Sequence, residues 1–495
     1  MASSWMLVTG GSVIDGTSPS AVEGASVLIR DDRVYAVGRD LDLSVVPRAE
    51  PVERIDATGK TVMPGLVDAH CHMTYGESRF EEEIDLYTSH ERRTLIAAAN
   101  AKKVLRAGVT SISQPGGSYF IGVGIRDAIA DGLIEGPRMT AAGRYLSTSN
   151  SLTDWYPDEV GVPAGNLGVL TNHVHEMMSE VRHQVKNGVD FIKLADSPLG
   201  EYQAFTGDEM KAIADLAHQL KRSVTIHARG SAETEAAVDA GFDWIMHGNA
   251  MSDEAIGKLA GTGTPLVPTL LLLSNLADFG APFGVPAPLR DGCKGLLEVS
   301  ADSYHRAHKA GVTFAMGTDT GFAVTPYGEW HARELELLMT YGGLSAMEAI
   351  QAGTRNGAKM LNMEGMIGQL TPGAFADVIV VNGDPVRDIR VLQDKRNIQL
   401  VIKDGSVVEF RDKEIETRWT HDRGLIYSLE HMTYDRVFGN GEEDVAGALK
   451  TKGWNMARID IPGGDPENVP FERDAITIAP GDGRELAAEI KPRHS

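Results

Sequence analysis

Apolar and polar residues alternate along the first sixty positions, in runs broken by Gly and Asp. The stretches "WMLVTGGSVID" (5–15), "ASVLIRDDRVYAVG" (25–38) and "VERIDATGKTVMPG" (52–65) therefore predict short strands joined by turns. The same texture returns at "ADVIVVNGDP" (376–385) and "NIQLVIKDGSVVEF" (397–410). Two β-rich segments flanking a long middle predict one small β-sandwich split in sequence, with parts at 1–62 and 366–411.

Between them, over 63–365, the period changes. Short apolar runs are followed by segments of helical spacing. The runs are "GVTSIS", "RMTAAG", "FIKLAD", "SVTIHA", "FDWIMH", "TPLVPT" and "GVTFAMGTD", with "TVMPGLVDA" before them. Segments such as "TGDEMKAIADLAHQLK" and "SAETEAAVDAG" carry acids near their starts and apolar residues at helical spacing. Repeated strand-then-helix units imply an α/β fold with a parallel sheet, and eight strands close a distorted (β/α)8 TIM barrel. The remainder, 412–495, is charged, part helical, then rich in Pro and Gly. It reads as a C-terminal extension, either an arm packed on the barrel or another subunit, or a disordered tail.

Composition narrows the partners. The chain has 495 residues, 42% of them hydrophobic, enough to bury a large core. Its formal net charge of -22 argues against nucleic acid and against anionic membranes. No run is long and apolar enough to span a bilayer, and no signal peptide is recognisable. Two cysteines, Cys71 and Cys293, cannot build a disulfide framework. A cytoplasmic protein acting on a small molecule is expected.

Chemistry enters at "MPGLVDAHCH" (63–72). In an extended strand, residues i and i+2 share a side, so His70 and His72 aim two imidazoles at one point while Cys71 faces away. Converging imidazoles suit a metal ion. His173 and His175 repeat the spacing in a helical-looking stretch, where i and i+2 diverge. In a barrel, functional residues gather where strands end. The fourth run carries Lys193, the fifth ends at His227, the sixth at His247 and the eighth at Asp319. Each has a structural reading by itself, but five strands ending this way favour a metal site. Lys193 is the odd member, because a lysine among Phe191, Ile192 and Leu194 is expensive to bury as a cation.

These residues, with "RDAIADGLIEGPRM" (126–139), "MHGN" (246–249) and "SAMEAIQAGTRNGAKMLNMEGMIGQLTPGAFADVIVVNGDP" (345–385), resemble the amidohydrolase superfamily. The resemblance spans residues 5–410 and points to its prolidase-like, imidazolonepropionase-related branch. It implies two divalent metals, zinc by default, with cobalt, manganese or iron as alternatives. One would take His70, His72 and Asp319, the other His227 and His247, and Lys193 would bridge them as a carbamate made with CO2. Such a pair lowers the pKa of a bridging water to give hydroxide and polarises a carbonyl. Asp319 would then move the proton, beside Lys193 and His247 as further catalytic groups. The implied reaction is hydrolysis of an amide, urea or carbamate, and relatives lead us to expect a homo-oligomer.

Departures from the branch bear on the substrate. Where relatives read "HAHG" or "HAYT", this chain has "HARG", so Arg229 either holds a substrate oxygen or pairs with an acid. After the third strand it has "YLSTSNSLTDWYP" (145–157), in which Trp155 and Tyr156 either line an aromatic-accepting pocket or pack the loop. These departures leave room for a phenylurea- or thiocarbamate-type xenobiotic. The alternatives are a prolidase-like hydrolase of dipeptides or N-acyl amino acids and, in another class, a non-catalytic scaffold. All six ligand positions are filled, which speaks against the scaffold.

Overall fold

The computed structural model describes residues 4–410 and 431–439. The chain divides into two compact units, Met1–Tyr434 and Asp435–Ser495. Of the 412–495 extension, all but 431–439 lies outside the described residues; those nine include a short helix, Tyr434–Phe438.

In the first unit, both flanks pair into one mixed eight-stranded sheet. Its order is Ser406–Val407, Ile398–Lys403, Val378–Val381, Thr61–Pro64, Trp5–Val13, Val22–Arg30 and Arg33–Gly38, with Val52–Asp56 also on Trp5–Val13. Thr61–Pro64 joins the flanks, pairing parallel to the first strand and antiparallel to Val378–Val381. Side-chain alternation sorts its residues between two cores. Val62, Val378, Val380 and Ile402 pack with Met6, Val8, Val27 and Ile29 from the other half of the sheet. Met63, Ile379, Val381 and Val401 face the other way, onto Ala97, Ala101 and Val104 of the helix His90–Arg106.

The middle is an α/β layer arrangement built on parallel strands. Leu66–Asp68, Val109–Gln114 and Arg138–Ala141 form one sheet. The other has the order Gly168–Leu170, Tyr145–Ser147, Phe191–Ala195, Ser223–Gly230, Trp244–Ala250 and Leu266–Val267. Helices follow as the spacing predicts: Gly207–Gln219 starts at a Thr206/Glu209 capping box and Ser231–Asp239 follows directly on the His227 strand.

Three features depart from the sequence pattern. The run "TVMPGLVDA" breaks at Gly65, its first half in the flank sheet and its second in the parallel layer. A Cβ at Gly65 would collide with the Thr110 side chain, so the crossing point requires glycine. The run at 311–319 and the residue after it form isolated bridges, at Phe314 and Thr320, in place of a regular strand. Two helices, Leu271–Phe279 and Ala287–Lys309, fill the connection before it. Among the described residues no helix is long and apolar enough to cross a membrane.

Candidate metal centre

The segment 66–72 lies between two neighbours. Ala69 N–H donates to Met316 O, Cys71 N–H to Ser113 O and His72 N–H to Thr320 O. This extended backbone puts His70 and His72 on one side, with Nε2 atoms 3.0 Å apart. Cys71 turns instead into the apolar core beside Met73. Asp319 reaches the pair from the next segment, its Oδ1 lying 3.3 Å from His70 Nε2 and 3.1 Å from His72 Nε2. His247 completes a buried group in which its ring, His70 and Asp319 each offer a ligand atom within 4.8 Å of the others. The His227 ring stacks edgewise on His247, with centroids 4.3 Å apart. His173 and His175 are exposed at a helix start, away from this group.

Hydrogen bonds fix which nitrogen three of the four imidazoles present. His72 Nδ1 donates to Gly116 O at 2.9 Å, which leaves Nε2 as a lone pair toward Asp319. Thr269 donates its hydroxyl to Pro268 O and so accepts from His247 Nδ1 at 2.5 Å, freeing His247 Nε2. His227 Nε2 faces Pro198 O at 3.3 Å, leaving Nδ1. Partners that orient a ring and select its tautomer are what metal-binding histidines require. Burial pulls His70 down to about 4 despite the Asp319 charge, and pulls His227 and His247 well below the ordinary value. This favours the neutral form of His70, His227 and His247, the form in which imidazole binds a metal. Burial opposes ionisation of Asp319, but His70 and His72 outweigh it and hold the carboxyl well below its usual range.

Lys193 shares the inward face of Phe191, two residues earlier, and is fully buried. Among the described residues its Nζ has one hydrogen-bond partner, Met246 Sδ at 2.5 Å. Burial draws its pKa down to about 7, with Asp319 opposing and Arg229 adding to the drop. Its charge acts on both His70 and His227. His247 and Asp319 both have left-handed backbone, φ 74° and 55°, a conformation unfavourable for these residues that tends to gather at functional sites. The donor set fits divalent metals: neutral imidazole nitrogens and a carboxylate converge, with a buried, readily neutralised lysine beside them.

Arg229 donates from Nη1 to Asn249 Oδ1 at 2.7 Å, its Nε is buried without a partner, and its guanidinium makes no ion pair among the described residues. The alternative of a salt bridge is therefore not what the structure shows. Its charge bears on His227, His247 and Lys193, which places it beside the centre. Trp155 and Tyr156 stand elsewhere, both donating to Asp85 Oδ2 at 3.2 Å.

Several supporting residues carried no signal strong enough to single them out. Tyr75 stacks on His72 with centroids 4.1 Å apart, and its hydroxyl meets that of Tyr145 at 2.5 Å. Asp68 accepts from His70 N–H at 3.0 Å, from Thr318 N–H at 3.1 Å and from the Thr318 hydroxyl at 2.5 Å. Its position two residues before His70, as a polar residue closing an apolar run, was the available clue.

The amidohydrolase family model matches residues 61–408. The chain belongs to this family. As a member it is a hydrolase acting on carbon–nitrogen bonds. The ochratoxinase of Aspergillus niger is 28% identical over 420 residues, covering 78% of this chain and 83% of the relative. The imidazolonepropionase of Geobacillus kaustophilus is 26% identical over 430 residues, 78% of this chain and 90% of the relative. Among solved structures, a Xaa-Pro dipeptidase with methionine bound in its active site is similar at 29% identity and TM-score 0.71, over 82% of this chain and all of that one.

Proposed function

We propose that this amidohydrolase cleaves the amide bond of a small molecule at a paired-metal centre held by His70, His72, Lys193, His227, His247 and Asp319. The observation that carries the reading is the convergence of His70 Nε2, His72 Nε2 and Asp319 Oδ1 within 3.3 Å, with His247 in the same buried group. Zinc is the default metal, and cobalt, manganese or iron fit the same donors. When bound, the metals supply an acidified water and polarise the scissile carbonyl.

The protein's own groups have separable tasks. Asp319 faces the histidines with Oδ1, which leaves Oδ2 to accept the proton of the attacking water and hand it to the leaving nitrogen. Lys193, drawn down to about 7, has an uncharged Nζ in reach of neutral pH. That nitrogen can add to CO2 with loss of one proton, turning a buried cation into an anionic ligand. Arg229, with its Nε uncommitted, is placed to hold a substrate carboxylate or carbonyl oxygen.

An amide is favoured over a urea or carbamate because the similar proteins named above include an ochratoxinase and a Xaa-Pro dipeptidase. The fold proposed with it is a distorted (β/α)8 barrel over 63–365. Its support is that the 311–319 run bonds both neighbours: Leu266 N–H donates to Thr313 O at 2.9 Å, and Ala69 N–H to Met316 O at 2.8 Å. The core shared by both halves of the flank sheet supports the split sandwich. A screen of metal-reconstituted protein against dipeptides, N-acyl amino acids, phenylureas and thiocarbamates tests the function. Amide hydrolysis is expected, and turnover of ureas or carbamates alone would overturn the amide reading.

A further inference from the structure

Asp85 is a buried acid that the centre does not use. It ends the short helix Glu81–Asp85 in the loop that leaves His70 and His72, and it is 5% exposed. Its Oδ2 accepts from both Trp155 Nε1 and the Tyr156 hydroxyl, whereas Oδ1 is buried with no partner. The Arg93 guanidinium, whose charge reaches Asp85, gives Nη1 and Nη2 to Ser118 Oγ, to Thr88 O at 2.9 Å and to Gly165 O at 3.5 Å, and its buried Nε makes no hydrogen bond. An unmade hydrogen bond on a buried carboxyl is costly and calls for a missing partner.

The position of Asp85 says what that partner belongs to. The loop carrying Asp85 leaves the end of its strand that bears the metal-binding histidines, and Trp155 and Tyr156 follow the strand Tyr145–Ser147. Tyr145 links the two places. Its hydroxyl lies 3.3 Å from His72 Nε2, and the charges of both Asp319 and Asp85 act on it. The Asp85 loop and the loop of Trp155 and Tyr156 thus leave the two strand ends at which His72 and Tyr145 meet.

Chemistry selects the occupant. The Trp155 and Tyr156 rings, with centroids 6.4 Å apart and planes at 68°, are half-buried beside a carboxyl with one uncommitted oxygen. Aromatic faces with a carboxylate attract a cation, which gains an ion pair and a cation–π contact together. An anion would be repelled, and a neutral hydroxyl would gain a hydrogen bond alone. We propose that Asp85, Trp155 and Tyr156 form a subsite for a cationic amine of the substrate, so that preferred amides carry an ammonium group. The inference rests on the amide-hydrolase reading above. Burial pushes the Asp85 carboxyl up to about 7, against the Tyr156 hydrogen bond, the Arg93 charge and the Trp155 hydrogen bond, while Glu81 adds to the rise. An arriving ammonium would add a second positive charge to that of Arg93, which by itself does not offset the burial of this group.

The test compares dipeptides bearing a free α-amino group with their N-acetylated counterparts, on metal-reconstituted full-length protein and on Asp85→Asn. The parent should favour the ammonium form in kcat/KM by about tenfold, and the variant should bring the ratio close to one. An active parent with no preference, or a preference unchanged in Asp85→Asn, would overturn the subsite. Hydrolysis of neither substrate would instead count against a dipeptide substrate within the proposed function and leave the subsite to the binding arm. A second arm needs no turnover: calorimetric titration with benzylammonium against benzyl alcohol should show the ammonium binding more tightly to the parent. About tenfold loss is expected in Asp85→Asn, with melting curves confirming that the variant is folded. Equal binding of benzylammonium by both proteins would overturn the proposal whatever the activity result.

Discussion

His331 donates from Nδ1 to Asp68 Oδ2 at 2.7 Å, and both side chains are wholly buried. The tautomer is set from the other side, because Gly328 N–H donates to His331 Nε2 at 3.2 Å. Asp68 in turn holds the backbone N–H of His70, itself a proposed ligand, and of Thr318, the neighbour of Asp319. His331→Phe should leave Asp68 short of a donor, destabilising the fold by about 1–3 kcal/mol. It should also loosen metal retention. His331→Asn, whose amide can still donate, should recover part of both. Melting curves and metal content read the two effects, and a phenylalanine variant unchanged in both would remove the positioning role.

Asp319→Asn keeps shape and loses basicity. Turnover should fall by about 10²–10⁴-fold while most of the metal stays bound. Steady-state kinetics with elemental analysis decide it. Turnover within a few-fold of the parent would show that the proton moves by another route.

Arg229→Lys keeps the charge and loses the planar fork. The expected result is a lower kcat/KM with an unchanged melting temperature. Unchanged kinetics with reduced stability would assign Arg229 to packing against Asn249 instead.

The Glu77 carboxyl gives a pH signature. Burial would raise its pKa, but His431 and Lys103, at 3.1 and 3.0 Å, bring it down to about 2. A folded-state pKa below the unfolded value contributes stability that is full above about 4.5 and is lost as pH falls toward 2. That contribution is on the order of 3 kcal/mol. Glu77→Gln should therefore be less stable than the parent at neutral pH, with the gap closing between about pH 4.5 and 2. Denaturant titrations across that range measure it, and a gap independent of pH would contradict the charge-pair origin.

Much of this arrangement is legible in the sequence. The parallel strands announced themselves as apolar runs, and the candidate ligands stood at their ends because that is where side chains leave the packed interior for the mouth. The i, i+2 rule correctly brought His70 and His72 together. What periodicity could not show was long-range. The run through Gly65 reads as one strand, yet it crosses between two sheets there, at a point where the Thr110 side chain leaves no room for a Cβ. His331 lies in an irregular loop and meets Asp68 across 263 positions, a pairing no local pattern encodes. Trp155 and Tyr156 read either as pocket lining or as loop packing, and their polar edges are drawn to Asp85, which the sequence did not single out.

The claim on which the mechanism turns is that Lys193 becomes a ligand shared by two metals. The most direct measurement is metal stoichiometry of the parent and of Lys193→Ala after reconstitution with and without bicarbonate. The parent should bind two metals per chain, with bicarbonate raising the active fraction. Lys193→Ala should lose at least one metal together with activity, and short carboxylic acids added from solution should restore part of both. Should Lys193→Ala retain both metals and full turnover, the bridge does not exist and the paired-metal account is wrong.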